Sequence, residues 1–188
     1  MQAGHSRPSL PNDVAADAVR AAFRELHARR LHGFALLLML GDRPAAARLA
    51  SDALLAAGGH IDELRHPERA AAWLRARIVR MAGGTGRTVP RRIDRVDALD
   101  WLGVDTAVFA GLEALHLRER AALVAATIER LDRRDAATII ESDGQQFDRL
   151  MVRARRRYAA AYTAAAPDAM ADGPLGARVR AIAQRAML

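Results

Sequence analysis

Glutamine and arginine side chains crowd a short stretch late in the chain, between residues 145 and 157. If this stretch is helical, apolar residues at positions i, i+3, i+4, i+7 and i+11 form a stripe on the opposite face: Phe147, Leu150, Met151, Ala154 and Tyr158. Glutamine amides and arginine guanidinium groups bind base edges and phosphates. The candidate DNA-binding residues are therefore Gln145, Gln146, Arg149, Arg153, Arg155, Arg156 and Arg157. A solvated basic face gives the same pattern, so this helix alone leaves the two interpretations evenly matched.

The residues before this helix predict the elements that position it. Apolar residues between positions 121 and 128 predict a mostly buried helix, and Asp132 is placed to cap a second, shorter one. Ser142, Asp143 and Gly144 then supply a tight turn and the cap of the basic helix. Helix, helix, polar turn and basic helix is the order of a helix-turn-helix unit, which favours DNA binding over a merely solvated face.

The same segment resembles the promoter-reading C-terminal domain of the extracytoplasmic-function sigma factors. Residues 127–156 align with that family's pattern without a gap, and residues 153–156 reproduce the R-A-R-R run at the end of its recognition helix. Further matches are Glu129, Leu131, Ala137 and Ile139. The preceding sequence LEALHLRERAALV is similar to the family's L-x-x-L-P-x-R-E-R-E-V-L.

The first half of the chain resembles the polymerase-binding and promoter-melting domain of the same family. Gly41 and Asp42 correspond to the family's G-D, and Leu49 and Asp52 have its L-x-x-E/D spacing. The run A-W-L at residues 72–74 matches the helix that follows. Two domains in the family's order make a chance resemblance improbable.

The resemblance implies a transcription initiation protein and not an enzyme. Its expected partners are core RNA polymerase, double-stranded promoter DNA, and an anti-sigma factor or other regulator, with no membrane and no cofactor. The resemblance places the polymerase contact on Arg48, Leu49 and Asp52. It also assigns Gln145, Gln146 and Arg149 to base edges and the later arginines of the helix to phosphates.

Several departures from the family pattern keep a second interpretation open. Ala47 and Arg48 stand where the family has an acidic pair, and the glycines at 83, 84 and 86 interrupt a helix that is normally basic and aromatic. Glu141 replaces the usual turn glycine, and Asp148 places an acid on the basic helix. The alternative is a degenerate sigma-like protein that acts through contacts with polymerase, a sigma factor or a regulator, without melting promoters. A helix-turn-helix regulator with an unrelated helical first domain is a third option, which leaves the first-half resemblance unexplained.

Composition predicts an all-α fold. Aromatic residues make up only 4% of the chain while half of it is apolar, and no segment alternates with the period of a strand. The net charge is +7 and all 29 basic residues are arginine, which favours a polyanionic partner such as nucleic acid. An anionic membrane surface is a weaker candidate, because no basic amphipathic helix carries a bulky apolar face.

Two small helical domains joined by a linker are expected. Residues 1–12 are predicted as a flexible tail, 13–82 as the polymerase-binding domain, 83–111 as the linker and 112–163 as the helix-turn-helix domain. Residues 164–188 are predicted as a loop and an amphipathic helix, which would either dock on the preceding domain or cover a functional surface.

Other chemistry finds little support in the sequence. Cysteine is absent, and histidines 27 and 32 have the wrong spacing to share one helical face as metal ligands. We find no catalytic constellation, metal site or cofactor motif. The first residues lack a signal-peptide core and no apolar run is long enough to span a bilayer, so we expect a cytoplasmic protein.

Overall fold

The computed structural model describes residues 11–60, 63–64, 66–84 and 92–166. Within these residues the chain forms eight α-helices and one π-helical turn, and no strand. The helices are α1 (Pro11–Leu38), α2 (Arg43–Ala57), α3 (Pro67–Gly83), α4 (Arg92–Asp100), α5 (Thr106–Glu113), α6 (Leu117–Leu123), α7 (Arg133–Ile139) and α8 (Gly144–Ala165). The π-helix, Val124–Ile128, directly continues α6. The all-α prediction is confirmed.

The helices occupy much of the chain between the two predicted domains. Helix α4 and most of α5 lie within residues 83–111, the segment expected to be a linker, and α5 continues to Glu113. Helix α3 ends at Gly83, and Gly86 lies outside the described residues. Helix α1 already begins at Pro11, inside the segment 1–12 that was expected to be a flexible tail. The predicted C-terminal amphipathic helix also lies outside the described residues.

An aspartate N-cap immediately precedes the first residue of each of four helices. In each case the carboxylate accepts a hydrogen bond from a backbone N–H three residues further on, which satisfies one of the donors that a helix N-terminus leaves free. The four caps are Asp42, Asp105, Asp132 and Asp143, with distances of 2.9, 2.8, 2.7 and 2.8 Å. Local sequence therefore fixes where these helices begin.

The turn between α1 and α2 requires a glycine for two reasons. Gly41 has φ +81°, and Leu40 before it has φ +53°. A Cβ atom at Gly41 would lie 2.1 Å from the carbonyl oxygen of Arg95. The guanidinium of Arg95 donates in turn to the Leu40 carbonyl oxygen at 3.0 Å. The G-D break of the sequence is thus where α4 packs onto the end of α1.

A continuous cluster of buried apolar side chains contains residues of every helix. Helix α8 packs mainly on α5 and α6, and α3 packs on α7 as well as on α1 and α2. Gly111 permits the close approach of α5 to α8, because a Cβ atom there would lie 2.6 Å from the Tyr158 ring. The elements of both predicted domains therefore share one core.

Candidate nucleic-acid interface

Helix α8 buries the apolar stripe that its sequence predicts. Phe147, Leu150, Met151 and Ala154 are each at most 9% exposed, and Tyr158 is 2% exposed. The stripe holds α8 against α5, α6 and α7. The opposite face is consequently left to the polar side chains.

All seven predicted DNA-binding residues are exposed. They are Gln145, Gln146, Arg149, Arg153, Arg155, Arg156 and Arg157. Arg157 differs from the others because its Nη1 donates to both carboxylate oxygens of Glu119, at 3.1 and 2.9 Å. Glu119 is almost fully buried, so this ion pair fastens α8 to α6. The remaining four arginines form no ion pair with any residue that the structure describes.

The acidic residue on α8 is neutralised by a neighbouring helix. Arg133 at the start of α7 donates to Asp148 from Nε at 2.9 Å and from Nη2 at 2.7 Å. This hydrogen bonding holds the pKa of the Asp148 carboxyl below its usual range and raises that of Arg133. The same guanidinium donates to the Gly144 carbonyl oxygen at 2.8 Å. Asp148 therefore joins α7 to α8 and does not present an unpaired negative charge.

The turn between α7 and α8 has the geometry that glycine usually provides. Glu141 has φ +51°, a left-handed conformation. The N–H groups of Glu141 and Ser142 donate to the carbonyl oxygens of Thr138 and Ala137, both at 3.1 Å, which closes the end of α7 as a Schellman motif. Glu141 thus adopts the left-handed backbone conformation that glycine usually has at this position of a helix end.

Two arginines from elsewhere in the chain hold this turn. Arg80 of α3 donates to a carboxylate oxygen of Glu141 from Nε at 3.0 Å and from Nη2 at 2.5 Å. Arg118 of α6 donates to the Ile140 carbonyl oxygen at 2.5 Å. The side chain of Glu141 is thus used for an ion pair that a glycine could not make.

The three predicted polymerase-binding residues lie on two faces of α2. Arg48 and Asp52 are exposed and one helical turn apart, so they share the outer surface with Ala47. Leu49 is only 4% exposed and belongs to the core. A contact on this helix would therefore involve Arg48 and Asp52, with Leu49 anchoring the helix from beneath. Trp73 is half-buried and packs against the core.

A buried ion pair connects α3 to the end of the π-helix. Arg75, 3% exposed, donates to both carboxylate oxygens of Glu129, which lies 54 positions later, and to the Ala71 carbonyl oxygen. Its guanidinium carbon also lies 5.5 Å from the centroid of the Phe34 ring. In the sequence, Glu129 stands out only as a match to the family pattern, and Arg75 was not predicted as its partner. The available signal was an arginine within the apolar pattern of α3.

A second buried arginine closes the ends of two helices. Arg120 donates to the carbonyl oxygens of Leu38, Leu112 and Leu115 at 2.7 to 2.8 Å. Its positive charge lies at the C-terminal ends of α1 and α5, where the helix dipole favours a cation. Burial, and then the charge of Arg95, lower the pKa of Arg120 to about 10, so it remains protonated at neutral pH.

The chain matches no known protein family, no curated protein and no solved structure. Among the described residues, no helix combines the length and apolar character needed to cross a membrane.

Proposed function

We propose that this protein is a sigma-like transcription initiation factor, in which α7, the following turn and α8 form a helix-turn-helix that binds promoter DNA. The observation that carries the proposal is the division of α8 into a buried apolar face and an exposed face of glutamine and arginine. A helix held firmly on one side, with bidentate donors on the other, has the properties that a major-groove reader needs.

The position of each side chain along α8 supports a division of roles. Gln145, Gln146 and Arg149 lie in the first two turns, the part of a recognition helix that enters the groove, and they would contact base edges. Arg153, Arg155 and Arg156 lie further along and would bind phosphates, which sets the register of the helix on DNA. Arg157 would contribute less to phosphate binding, because Glu119 already balances its charge.

In the same proposal the first half of the chain binds core RNA polymerase. Arg48 and Asp52 offer one positive and one negative group on the outer face of α2, where a protein partner can reach them. The two halves would then act as two domains, one on polymerase and one on DNA.

The shared core favours a second candidate, a degenerate sigma-like protein that acts through protein contacts without promoter melting. Buried apolar contacts and the Arg75–Glu129 pair fix the elements of both halves in one arrangement. Independent placement of two domains on polymerase and promoter would require these contacts to break. Such breakage exposes apolar surface to water, which opposes it.

Salt dependence of DNA binding tests the role of α8. Because each phosphate contact contributes about 0.9 to the slope of log affinity against log salt, Arg153→Ala combined with Arg156→Ala should flatten the slope by roughly two. Arg24→Ala with Arg29→Ala is the matched control, since it removes the same charge from an exposed part of α1 and should leave the slope unchanged. Wild-type binding without salt dependence would exclude DNA reading by this helix.

Transcription with reconstituted polymerase separates the two candidates. Specific run-off transcripts that require both the protein and its promoter would support the first candidate. Stable binding to core polymerase without promoter opening would reject it and support the second. Arg48→Glu combined with Asp52→Arg should weaken polymerase binding without changing affinity for DNA, because both residues lie on α2 and not on α8.

A further inference from the structure

A cavity of about 190 Å³ lies between α1, α3 and the end of the π-helix. Its walls are mostly apolar and include Leu26, Phe34, Leu37, Ile128 and Leu131. Enclosed cavities of about 150 Å³ lined by such side chains bind molecules of benzene size, and this one differs in opening to solvent beside Leu26, which is 61% exposed. The space therefore accommodates a compact molecule of one or two rings.

His27 provides this cavity with a polar group that lacks a partner. The residue is 8% exposed and lines the cavity, and its ring nitrogens make no hydrogen bond with any residue that the structure describes. Burial first, and then the charges of Arg75 and Arg30, hold the pKa of His27 below its usual value, so the ring is neutral at pH 7. A neutral imidazole offers one donor and one acceptor. The His27 nitrogens are not sealed from solvent, so a ligand hydroxyl or N–H group would replace water as their hydrogen-bond partner.

Charges around the cavity balance one another. Arg75 is paired with Glu129, and the exposed Arg30 lies at the same cavity as Glu68. With two positive and two negative groups and a neutral histidine, the lining has no net charge. This balance favours an uncharged ligand over an acid or an amine.

The backbone around the cavity is unusual in two places. Gly33 lies within the 28-residue helix α1, where glycine costs about 1 kcal/mol relative to alanine, and a Cβ atom there would meet nothing within 4 Å. The glycine therefore leaves space in the cavity, and it is not needed to let two helices approach closely. On the facing wall, Ile128 ends the π-helix, a type of turn that occurs frequently at functional sites.

We propose that this cavity binds a small uncharged aromatic molecule that carries one hydroxyl or ring N–H group. The ring lies between Phe34, Leu37 and Ile128, and the polar group hydrogen-bonds to His27. Because Ile128, Glu129 and Leu131 follow α6 while the other walls belong to α1 and α3, the bound molecule contacts both halves of the chain. The site lies apart from the exposed face of α8 and is independent of DNA binding.

Phenol, indole and toluene are suitable probes for titration calorimetry with the full-length protein. We expect saturable binding of phenol and indole with a Kd below about 1 mM. Gly33→Leu, which fills the cavity, should weaken it at least tenfold, whereas Ala21→Leu, on an exposed part of α1, should leave it unchanged. His27→Leu should weaken phenol binding about tenfold and toluene binding less than twofold, because only phenol loses a hydrogen bond.

Contacts measured by NMR on the wild-type protein test the site without relying on a variant. Nuclear Overhauser effects should connect the phenol ring to the methyl groups of Leu37 and Ile128. Circular dichroism should show that Gly33→Leu retains the wild-type helical content. If the variant is unfolded, the NMR contacts between phenol and the wild-type protein test the location of the site. Absence of saturable binding, binding that Gly33→Leu leaves intact, or contacts confined to other residues would each overturn the proposal.

Discussion

The ion pair between Arg75 and Glu129 allows the packing of the two halves to be tested quantitatively. The side chain of Arg75 is 4% exposed and that of Glu129 is 15% exposed, so neither charge is well solvated. Glu129→Gln keeps the shape of the side chain but leaves the Arg75 charge without a counter-ion. Removal of one partner of a buried pair costs about 3 to 5 kcal/mol, and the retained amide hydrogen bond places this variant near the lower value. We therefore expect the free energy of unfolding to fall by about 3 kcal/mol.

Urea unfolding followed by circular dichroism measures this loss, provided that the denaturant slope is the same for both proteins. For a domain of this size the melting temperature should fall by roughly 6 to 12 °C. The double variant Arg75→Met with Glu129→Leu removes both charges and should recover most of the stability, because an apolar pair of similar volume is often neutral or stabilising.

Glu141→Gln is the matched control, since it makes the same chemical change in the ion pair between Arg80 and Glu141. Those side chains are 61% and 59% exposed, and we expect a loss of at most about 1 kcal/mol. Equal losses for Glu129→Gln and Glu141→Gln would contradict our assignment of Arg75 and Glu129 as a buried pair.

Two further predictions concern backbone and charge. Gly41→Ala should destabilise the protein by more than about 2 kcal/mol, because residue 41 has a positive φ and the new Cβ atom would collide with the carbonyl oxygen of Arg95. Gly33→Ala should instead stabilise the protein by roughly 0.5 to 1 kcal/mol, because its Cβ atom meets nothing. Thermal unfolding of both variants measures the contrast, and a Gly41→Ala variant as stable as the wild type would contradict the geometry of this turn. Because the pKa of Asp148 is lowered in the folded protein, its ion pair with Arg133 stabilises the fold at pH values above the unfolded-state pKa of Asp148, and this stabilisation is lost as the pH falls through the folded-state pKa. Carboxyl-detected NMR should find that Arg133→Ala raises the pKa of Asp148. An unchanged pKa would disprove the pairing.

Much of the candidate interface could be predicted from the sequence because it depends on local order. The stripe on α8 follows from apolar residues spaced at helical intervals, and Asp132 and Asp143 cap their helices through backbone groups three residues away. The exposure of the glutamine and arginine face follows from the same spacing, since residues opposite a buried stripe face solvent.

Contacts between distant residues could not be predicted in this way. Leu49, which the resemblance places in a polymerase contact, is in the core. Asp148 departs from the family pattern as an acid on the basic helix, but Arg133 from the preceding helix pairs with it. In both cases the deciding neighbour comes from another element, which a one-dimensional pattern does not identify.

The sequence by itself determined the helical class of the protein, the start of its capped helices and the two faces of α8. Only the tertiary structure decided that α4 and α5 occupy the expected linker, that Arg75 meets Glu129, and that His27 lines a cavity between α1, α3 and the π-helix. The physical reason is the range of the interactions. Caps and amphipathic periodicity join residues within a few positions of one another, whereas ion pairs and cavities depend on how whole helices pack.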